Sequence, residues 1–92
     1  MTVSVIIPAL NESQHIAETV RSVQAQHPHE IIVVDGGSDD GTPELARKAD
    51  LVLTAPRGRA NQMNAGAKHA TGSNLLFLHA DCTLQSGAIE AA

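Results

Sequence analysis

The chain has 92 residues and a single cysteine, and its six basic and ten acidic residues give a formal net charge of −4 at pH 7. This length fits one domain at most, the lone cysteine excludes an internal disulfide framework, and the acidic balance excludes a broad basic surface for nucleic acid. Phe77 is the only aromatic residue, which excludes an aromatic platform for single-stranded nucleic acid. The N-terminal segment meets Pro8 and Asn11 too early for a signal-peptide core, so we expect a cytoplasmic setting.

Four short apolar runs predict the strands of the fold. They are continuous rather than alternating, which is typical of parallel strands buried on both faces of a sheet. The predicted strands are residues 3–7, 31–34, 51–53 and 75–78.

Helical patterns separate these runs. Ile16, Val20 and Val23 share one face of a first helix, for which Asn11 or Ser13 is the candidate cap.

The next two segments also favour helices. Thr42–Ala49 predicts a short helix with Pro43 in its first turn and with Leu45 and Ala46 facing inward. Arg59–Ala70 predicts a third helix whose packing stripe is Met63, Ala67 and Ala70, and residues 83–92 could start a fourth with Ser86 as its cap.

The element order is therefore β-α-β-α-β-α-β, which predicts an open α/β sheet with right-handed crossovers. Ligands of such sheets bind beyond the carboxyl ends of the strands. The polar loops of this chain follow the strands, so we expect them to open on that one edge.

The loop after the second strand does not match the common phosphate-binding motifs. Gly36 and Gly41 have the P-loop spacing, but no lysine follows, and Ser38 stands where G-x-G-x-x-G requires its second glycine. Asp35 is instead a candidate hydrogen-bond acceptor for a nucleobase N–H or a ribose hydroxyl. The alternative is that Asp35 caps its own turn, while Asp39 and Asp40 favour capping of the helix that follows.

Four segments together resemble successive motifs of family 2 glycosyltransferases with the GT-A fold. They are VSVIIPALNE, EIIVVDGGSDDGT, GRANQMNAGAKHATG and LLFLHADC, in the order and spacing of that family. GRANQMNAG followed by LLFLHAD more narrowly resembles a bacterial subgroup. The resemblance implies a Rossmann-like nucleotide-diphospho-sugar transferase fold, here partial, with residues 1–92 as the nucleotide-sugar-binding half and the acceptor half absent.

The resemblance also assigns roles to single positions. Pro8, Asn11 and Glu12 match the loop that borders the nucleoside, and Asp35 matches the aspartate that accepts a hydrogen bond from the base, usually uracil. The remaining positions belong to the donor diphosphate and its metal. Arg59 and His79 fall in the region that contacts the donor, Asn64 and Gly66 match an N-x-G that shapes the third helix, and Asp81 matches the last aspartate of the D-x-D motif.

Two positions depart from the family pattern. His79 replaces the first aspartate of D-x-D, and Gly36 replaces the second acidic residue that is common after Asp35. Mg²⁺ prefers oxygen ligands and takes few from the protein when a diphosphate supplies the rest, whereas imidazole shifts the preference toward Mn²⁺. The implied cofactor is therefore a divalent metal, Mn²⁺ or Mg²⁺.

The leading hypothesis is an inverting, metal-assisted transfer of a sugar from a UDP-linked donor to an unknown acceptor, with the catalytic base beyond residue 92. A membrane-associated acceptor would place the protein at the inner face of the membrane. The alternative is a non-catalytic nucleotide-binding module or assembly subunit that forms a homodimer or other oligomer through an open sheet edge. A receiver-like phosphorylation site is a third reading, but the lysine that it expects after a later strand does not occur in the sequence.

Overall fold

The structure is a computed structural model and describes residues 2–82. Its element order is the predicted one, and all four strands are parallel. The strands are β1 (Val3–Ala9), β2 (Glu30–Asp35), β3 (Leu51–Thr54) and β4 (Asn74–Phe77), and the helices are α1 (Ile16–Gln24), α2 (Thr42–Leu45) and α3 (Arg59–His69). The helix predicted over residues 83–92 lies outside the described residues.

The strand order is β3-β2-β1-β4. The chain first moves from β1 outward to β2 and β3, and then crosses back to place β4 on the other side of β1. β1 and β4 are therefore neighbours whose connections run in opposite directions, which makes the gap beyond their carboxyl ends the topological switch point of the sheet.

The two central strands carry the core. Alternate residues of β1 and β2 face opposite sides of the sheet, and two buried clusters result. Val5, Ile7 and Val33 pack in the cluster that includes α1, while Ile6 and Val34 pack in the cluster that includes residues of α3. The prediction of strands buried on both faces is confirmed for β1 and β2.

The edge strands differ from that prediction. Leu51 in β3 is 36% exposed, and Leu75 and Phe77 in β4 are 43% and 40% exposed. Helix α3 lies over β1, β2 and β3, and the alternation along β4 turns Leu75 and Phe77 toward the side of the sheet that α3 leaves partly open. An apolar face beside α3 is the consequence.

Helix α1 begins later than the capping prediction expects. Ile16, Val20 and Val23 are buried on one face as predicted. The residue before the helix is His15, and no side chain in the part of the chain that the structure describes caps the first turn. Asn11 has φ 52° and Ser13 lies in a turn, and both are bonded to the loop after β2. These two residues therefore link loops instead of capping α1.

Helix α2 is one turn long and ends at its C-cap residue, Ala46. The N–H of Ala46 donates to the carbonyls of Thr42 and Pro43, and the chain then turns into β3. Ala46 is fully buried, whereas Leu45 is 41% exposed. The prediction that Ala46 faces inward is confirmed, and the one for Leu45 is wrong.

The buried face of α3 begins at Gln62, one residue before the predicted Met63. Gln62 and Gly66 are the buried residues of this helix, and Met63 is only half-buried. Gly66 is required by the close approach, since a Cβ there would lie 2.5 Å from Cγ2 of Ile6 and 3.2 Å from Cγ2 of Val34. Ala67 and Ala70 pack against the same cluster, as predicted.

Strand β4 is anchored at its amino end by a polar network. The buried hydroxyl of Ser4 donates to the Glu30 carboxylate at 2.7 Å and accepts from the N–H of Gly72 at 2.8 Å, while the N–H of Thr71 donates to the same carboxylate. The Ser4 hydroxyl, followed by the Thr71 N–H, lowers the pKa of Glu30. This network fixes the turn between α3 and β4 to the central strands.

We expect Gly66→Ala to lower the free energy of unfolding by about 1–2 kcal/mol. The added methyl group overpacks against Ile6 at a cost of ~1–3 kcal/mol, and the better helix propensity of alanine offsets at most ~1 kcal/mol of it. Urea unfolding of both proteins measures the difference. Lys68→Ala, at an exposed position of α3, is the control and should leave the midpoint nearly unchanged, and a Gly66→Ala protein as stable as wild type would contradict the close packing.

Candidate active site at the switch point of the sheet

A cavity of about 390 Å³ lies at the switch point. The ends of β1 and β4 and the first turns of α3 form its walls, so the chain builds it from three separate segments. The lining residues are Pro8, Ala9, Leu10, Arg59, Gln62, Met63, Phe77, Leu78 and His79. Three predicted site residues therefore meet in one place, namely Pro8, Arg59 and His79.

Arg59 and His79 contact each other at the rim of this cavity. Nη2 of Arg59 lies against both ring nitrogens of His79, at 3.0 Å from Nε2 and closer to Nδ1. A guanidinium group only donates hydrogen bonds, so the ring nitrogen that accepts from it carries no proton. Both side chains are exposed, and an anion can reach the guanidinium from solvent.

Asp35 does not line the cavity, and its carboxylate binds residues of its own loop. The residue is only 2% exposed. Its Oδ2 accepts from the N–H groups of Gly37 at 2.9 Å and Ser38 at 2.8 Å, and its Oδ1 accepts from the Ser38 hydroxyl. This is the turn-capping alternative that the sequence left open. Contact between a nucleobase and Asp35 stays a prediction, and it requires this loop to open.

Asn11 and Glu12 join the loop after β1 to the loop after β2. The N–H of Asn11 donates to the Ser38 hydroxyl at 2.8 Å, the Asn11 side-chain oxygen accepts from the N–H of Asp39, and the N–H of Glu12 donates to the Thr42 hydroxyl at 2.9 Å. Oε2 of the Glu12 carboxylate accepts no hydrogen bond from residues 2–82 and lies 3.3 Å from Nδ1 of His15. The Asn11 and Glu12 backbone therefore ties the two loops beside the cavity into one unit.

Asp40 completes this link. Its carboxylate accepts from the hydroxyl and the N–H of Thr42 at the start of α2 and from the N–H of Ser13. The Thr42 hydroxyl is the main cause that lowers the pKa of Asp40 to about 2. The N-cap residue of α2 is Gly41, and no side chain among the described residues forms the N-cap hydrogen bond. Asp40 instead binds the first residue of the helix from the position before that cap, whereas Asp39 is exposed and uses its N–H rather than its carboxylate.

The described residues provide few metal ligands. Between residues 2 and 82, no three His, Cys, Asp or Glu side chains converge as a metal site would require. Asp81 is exposed, and the thiol of Cys82 lies 3.7 Å from its Oδ1. Asp81 therefore fits as the single carboxylate of an ion whose other ligands come from a diphosphate, and His79 does not fit while its ring nitrogens face Arg59.

Several lining residues were missed by the sequence patterns. Gln62 is the important one, because it lines the cavity and its buried amide donates to backbone carbonyls at the ends of β1 and β2. Gln62 and Gly66 lie about one turn apart on the buried face of α3, but neither is an apolar residue, so the helical period of apolar residues gives no signal for this face. Phe77 was noted only as the sole aromatic residue, although it lies in the cavity wall.

An open parallel α/β sheet with a polar-rimmed cavity at its switch point defines a class of ligand-binding proteins in which nucleotide-binding enzymes are common. Comparison with known proteins makes this specific. A family model described as Glycosyl transferase family 2 matches residues 4–92. The chain belongs to this family.

Similar proteins carry glycosyltransferase names. Glycosyltransferase AglE from Haloferax volcanii is 37% identical over 93 residues, which cover 88% of this chain and 31% of that protein. The 4,4'-diaponeurosporenoate glycosyltransferase from Staphylococcus aureus is 33% identical over 99 residues, which cover 97% of this chain and 26% of that protein. The chain thus spans about a third or less of the length of these relatives.

Solved structures confirm the predicted GT-A fold. Mannosyl-3-phosphoglycerate synthase from Rubrobacter xylanophilus superposes with a TM-score of 0.80 at 22% identity, over 95% of this chain and 33% of that one. Glucosyl-3-phosphoglycerate synthase from Mycobacterium tuberculosis, solved with Mn²⁺, UDP-glucose and phosphoglyceric acid, superposes with a TM-score of 0.77 at 25% identity, over 86% of this chain and 33% of that one.

We expect Asp40→Asn to lower the melting temperature near pH 7, because the neutral amide accepts the hydrogen bonds of Thr42 and Ser13 less strongly. The pKa of Asp40 is about 2 in the folded protein and 3.8 without its partners. The ionised carboxylate therefore stabilises the fold above pH 3.8, and this contribution is lost as the pH falls from 3.8 to about 2. Thermal melts across this range should show the two proteins converging toward pH 2.

Asp39→Asn is the matched control for this experiment. The Asp39 side chain is exposed, and its carboxylate forms no hydrogen bond with residues 2–82. The melting temperature of Asp39→Asn should therefore follow that of wild type at every pH. A constant difference between Asp40→Asn and wild type down to pH 2 would mean that the ionised carboxylate contributes nothing.

Proposed function

We propose that this chain binds the nucleotide-sugar donor of a glycosyltransferase that transfers a sugar from a UDP-linked donor to an acceptor hydroxyl. The observation that carries the proposal is the cavity at the switch point, where Arg59 and His79 lie at the rim and Asp81 follows within two residues of His79. Membership in the family and the UDP-glucose in a structural relative support it.

Arg59 is the residue that we assign to the donor diphosphate. Among the described residues, it is the only basic side chain other than His79 that lines the cavity. A guanidinium group forms strong paired hydrogen bonds with phosphate oxygens. His79 would then be released from Arg59 and offer its ring to the same ligand.

Asp81 is the residue that we assign to the divalent metal. When bound, a divalent ion supplies Lewis-acid stabilisation to the leaving diphosphate. Mn²⁺ or Mg²⁺ with one protein carboxylate and phosphate oxygens fits the exposed position of Asp81, and the Mn²⁺ in the structure of the Mycobacterium tuberculosis relative is consistent with this assignment.

The transfer that we propose inverts the anomeric centre. The acceptor oxygen forms a bond to the anomeric carbon while the bond between that carbon and the diphosphate oxygen breaks, and the diphosphate leaves with the electron pair. The acceptor proton passes to a carboxylate base, which stays a prediction for sequence beyond residue 92. A cytoplasmic location and a membrane-associated acceptor are part of the same proposal. Within residues 2–82, no helix combines the length and the apolar character of a membrane span.

Calorimetry tests the donor and metal assignments together. We expect UDP to bind, Mn²⁺ alone to give no measurable heat of binding, and UDP affinity to rise at least about tenfold in the presence of Mn²⁺, because one carboxylate cannot hold the ion without the diphosphate. Asp81→Asn should remove the gain from Mn²⁺ while retaining binding of UDP alone.

Asp39→Asn controls for the loss of one exposed carboxylate and should keep the Mn²⁺ effect. Absence of UDP binding in wild type would overturn the proposed function. A gain from Mn²⁺ that persists in Asp81→Asn would overturn the metal assignment only.

The open edge of β4 supports a second candidate, a nucleotide-binding module that assembles with a second copy. Among residues 2–82, β4 pairs with β1 and no strand pairs with its other edge. Leu75, on the face of this edge strand, is 43% exposed. Unpaired apolar edges favour strand pairing between chains. This candidate retains nucleotide binding and lacks transfer.

If this edge forms a dimer, Leu75→Lys should dissociate it, since a charged side chain beside the strand disfavours edge pairing. Sedimentation velocity at several protein concentrations measures the change. Lys68→Ala serves as the control away from this edge, and a wild-type protein that remains monomeric at all concentrations would contradict the assembly candidate.

A further inference from the structure

Gln62 joins three segments of the chain through one buried side chain. It is 4% exposed, its Nε2 donates to the carbonyls of Ala9 and Val34 at 2.9 Å each, and its Oε1 accepts from the N–H of Gly58 at 3.3 Å. The amide therefore links the carboxyl end of β1, the carboxyl end of β2 and the residue before α3. A buried amide is costly unless it is hydrogen-bonded, and both its nitrogen and its oxygen have partners here.

Gly36 leaves the space that this side chain occupies. A Cβ at position 36 would lie 2.8 Å from Oε1 and 3.0 Å from Cδ of Gln62, so an alanine at 36 and the observed position of the Gln62 amide exclude each other. The glycine that departs from the family pattern after Asp35 is thus paired with a glutamine on α3.

Gln62 also shapes the start of α3. Its backbone N–H donates to the carbonyl of Gly58 at 2.9 Å while its side-chain oxygen accepts from the N–H of Gly58, so the two residues bind each other in both directions. Gly58 has φ 136° and no side chain to cap the helix. The sharp entry into α3, and with it the place of Arg59 as the first residue of the helix, depends on this reciprocal contact.

We infer that Gln62 is a positioning residue that holds Arg59 over the cavity for a donor diphosphate, and that Gly36 is required because it admits the Gln62 amide. This inference rests on the proposed function, in that it assigns the diphosphate as the ligand of Arg59. Gln62 acts through Gly58 and Arg59, since its own polar atoms are all directed at the backbone.

Gln62→Met is the most direct test, because methionine has a similar length and volume and forms none of the three hydrogen bonds. We expect UDP to bind about tenfold more weakly and uridine, which lacks the diphosphate, to bind as it does to wild type. In an Arg59→Ala background, Gln62→Met should cause no further loss of UDP affinity, because the side chain that it positions is gone. A residue that only supports the fold would weaken uridine and UDP alike.

Gly36→Ala provides a second route to the same state without changing Gln62. The added methyl group displaces the amide, so this variant should lose affinity for UDP and retain affinity for uridine, as Gln62→Met does. Gln14→Met, at an exposed position, is the matched control and should bind both ligands normally. Circular dichroism and thermal melts confirm which variants are folded at the temperature of measurement.

Hydrogen exchange gives a readout that requires no ligand. The Gly58 amide should exchange faster in Gln62→Met than in wild type, since its acceptor has been removed, and unchanged exchange would overturn the contact on which the inference depends. Wild-type protein that fails to bind UDP would overturn the proposed function and this role with it. Wild-type binding of UDP combined with unchanged affinity in both Gln62→Met and Gly36→Ala would overturn the role alone.

Discussion

The pairing of β1 with β2 is the constraint from which the rest of the structure follows. Six consecutive residue pairs, from Ser4 with Glu30 to Ala9 with Asp35, hold the two strands in parallel register. Their side chains are almost entirely buried on both faces, so helices must cover both sides of this pair. The parallel register also brings both carboxyl ends to one edge, where the loops that follow must lie side by side.

Those loops form a continuous hydrogen-bonded layer. Asp35 orders the turn at Ser38, Ser38 accepts from the backbone of Asn11, and Asp40 and Thr42 accept from Ser13 and Glu12. These polar residues, which could otherwise bind a ligand, form hydrogen bonds with one another. The layer lies beside the cavity, and the polar side chains that line the cavity come from α3 and from the segment after β4.

The sequence predicts the architecture well because its signals are local. Continuous apolar runs identify all four strands to within two residues at each end, and the 3.6-residue period identifies the buried face of α1. The exposure of Leu45, Leu75 and Phe77 could not be predicted, since it depends on which strands become edges and on where α3 lies.

The candidate site also has features that the sequence predicts and features that it does not. The motifs name Pro8, Arg59 and His79 as donor-binding residues, and the structure brings all three into the lining of one cavity. The contact between Arg59 and His79 could not be predicted, because it joins residues 20 positions apart. For Asp35, sequence alone could not decide between a ligand and its own turn, because both use the same hydrogen-bond acceptors and only the burial of the carboxylate distinguishes them. Gln62 was missed because a glutamine in a helix is most often a surface residue.

The charge around the cavity explains why a cation belongs to the proposed function. Arg59, at the rim of the cavity, contributes one positive charge, and Asp81, two residues after His79, contributes one negative charge. These groups sum to zero in a chain whose formal net charge is −4. A diphosphate that leaves a sugar carries several negative charges, which a single arginine does not balance, and the overall field of the protein opposes its approach. In the proposed function, Asp81 would hold a divalent ion, and its carboxylate would then attract the leaving diphosphate through that ion instead of repelling it.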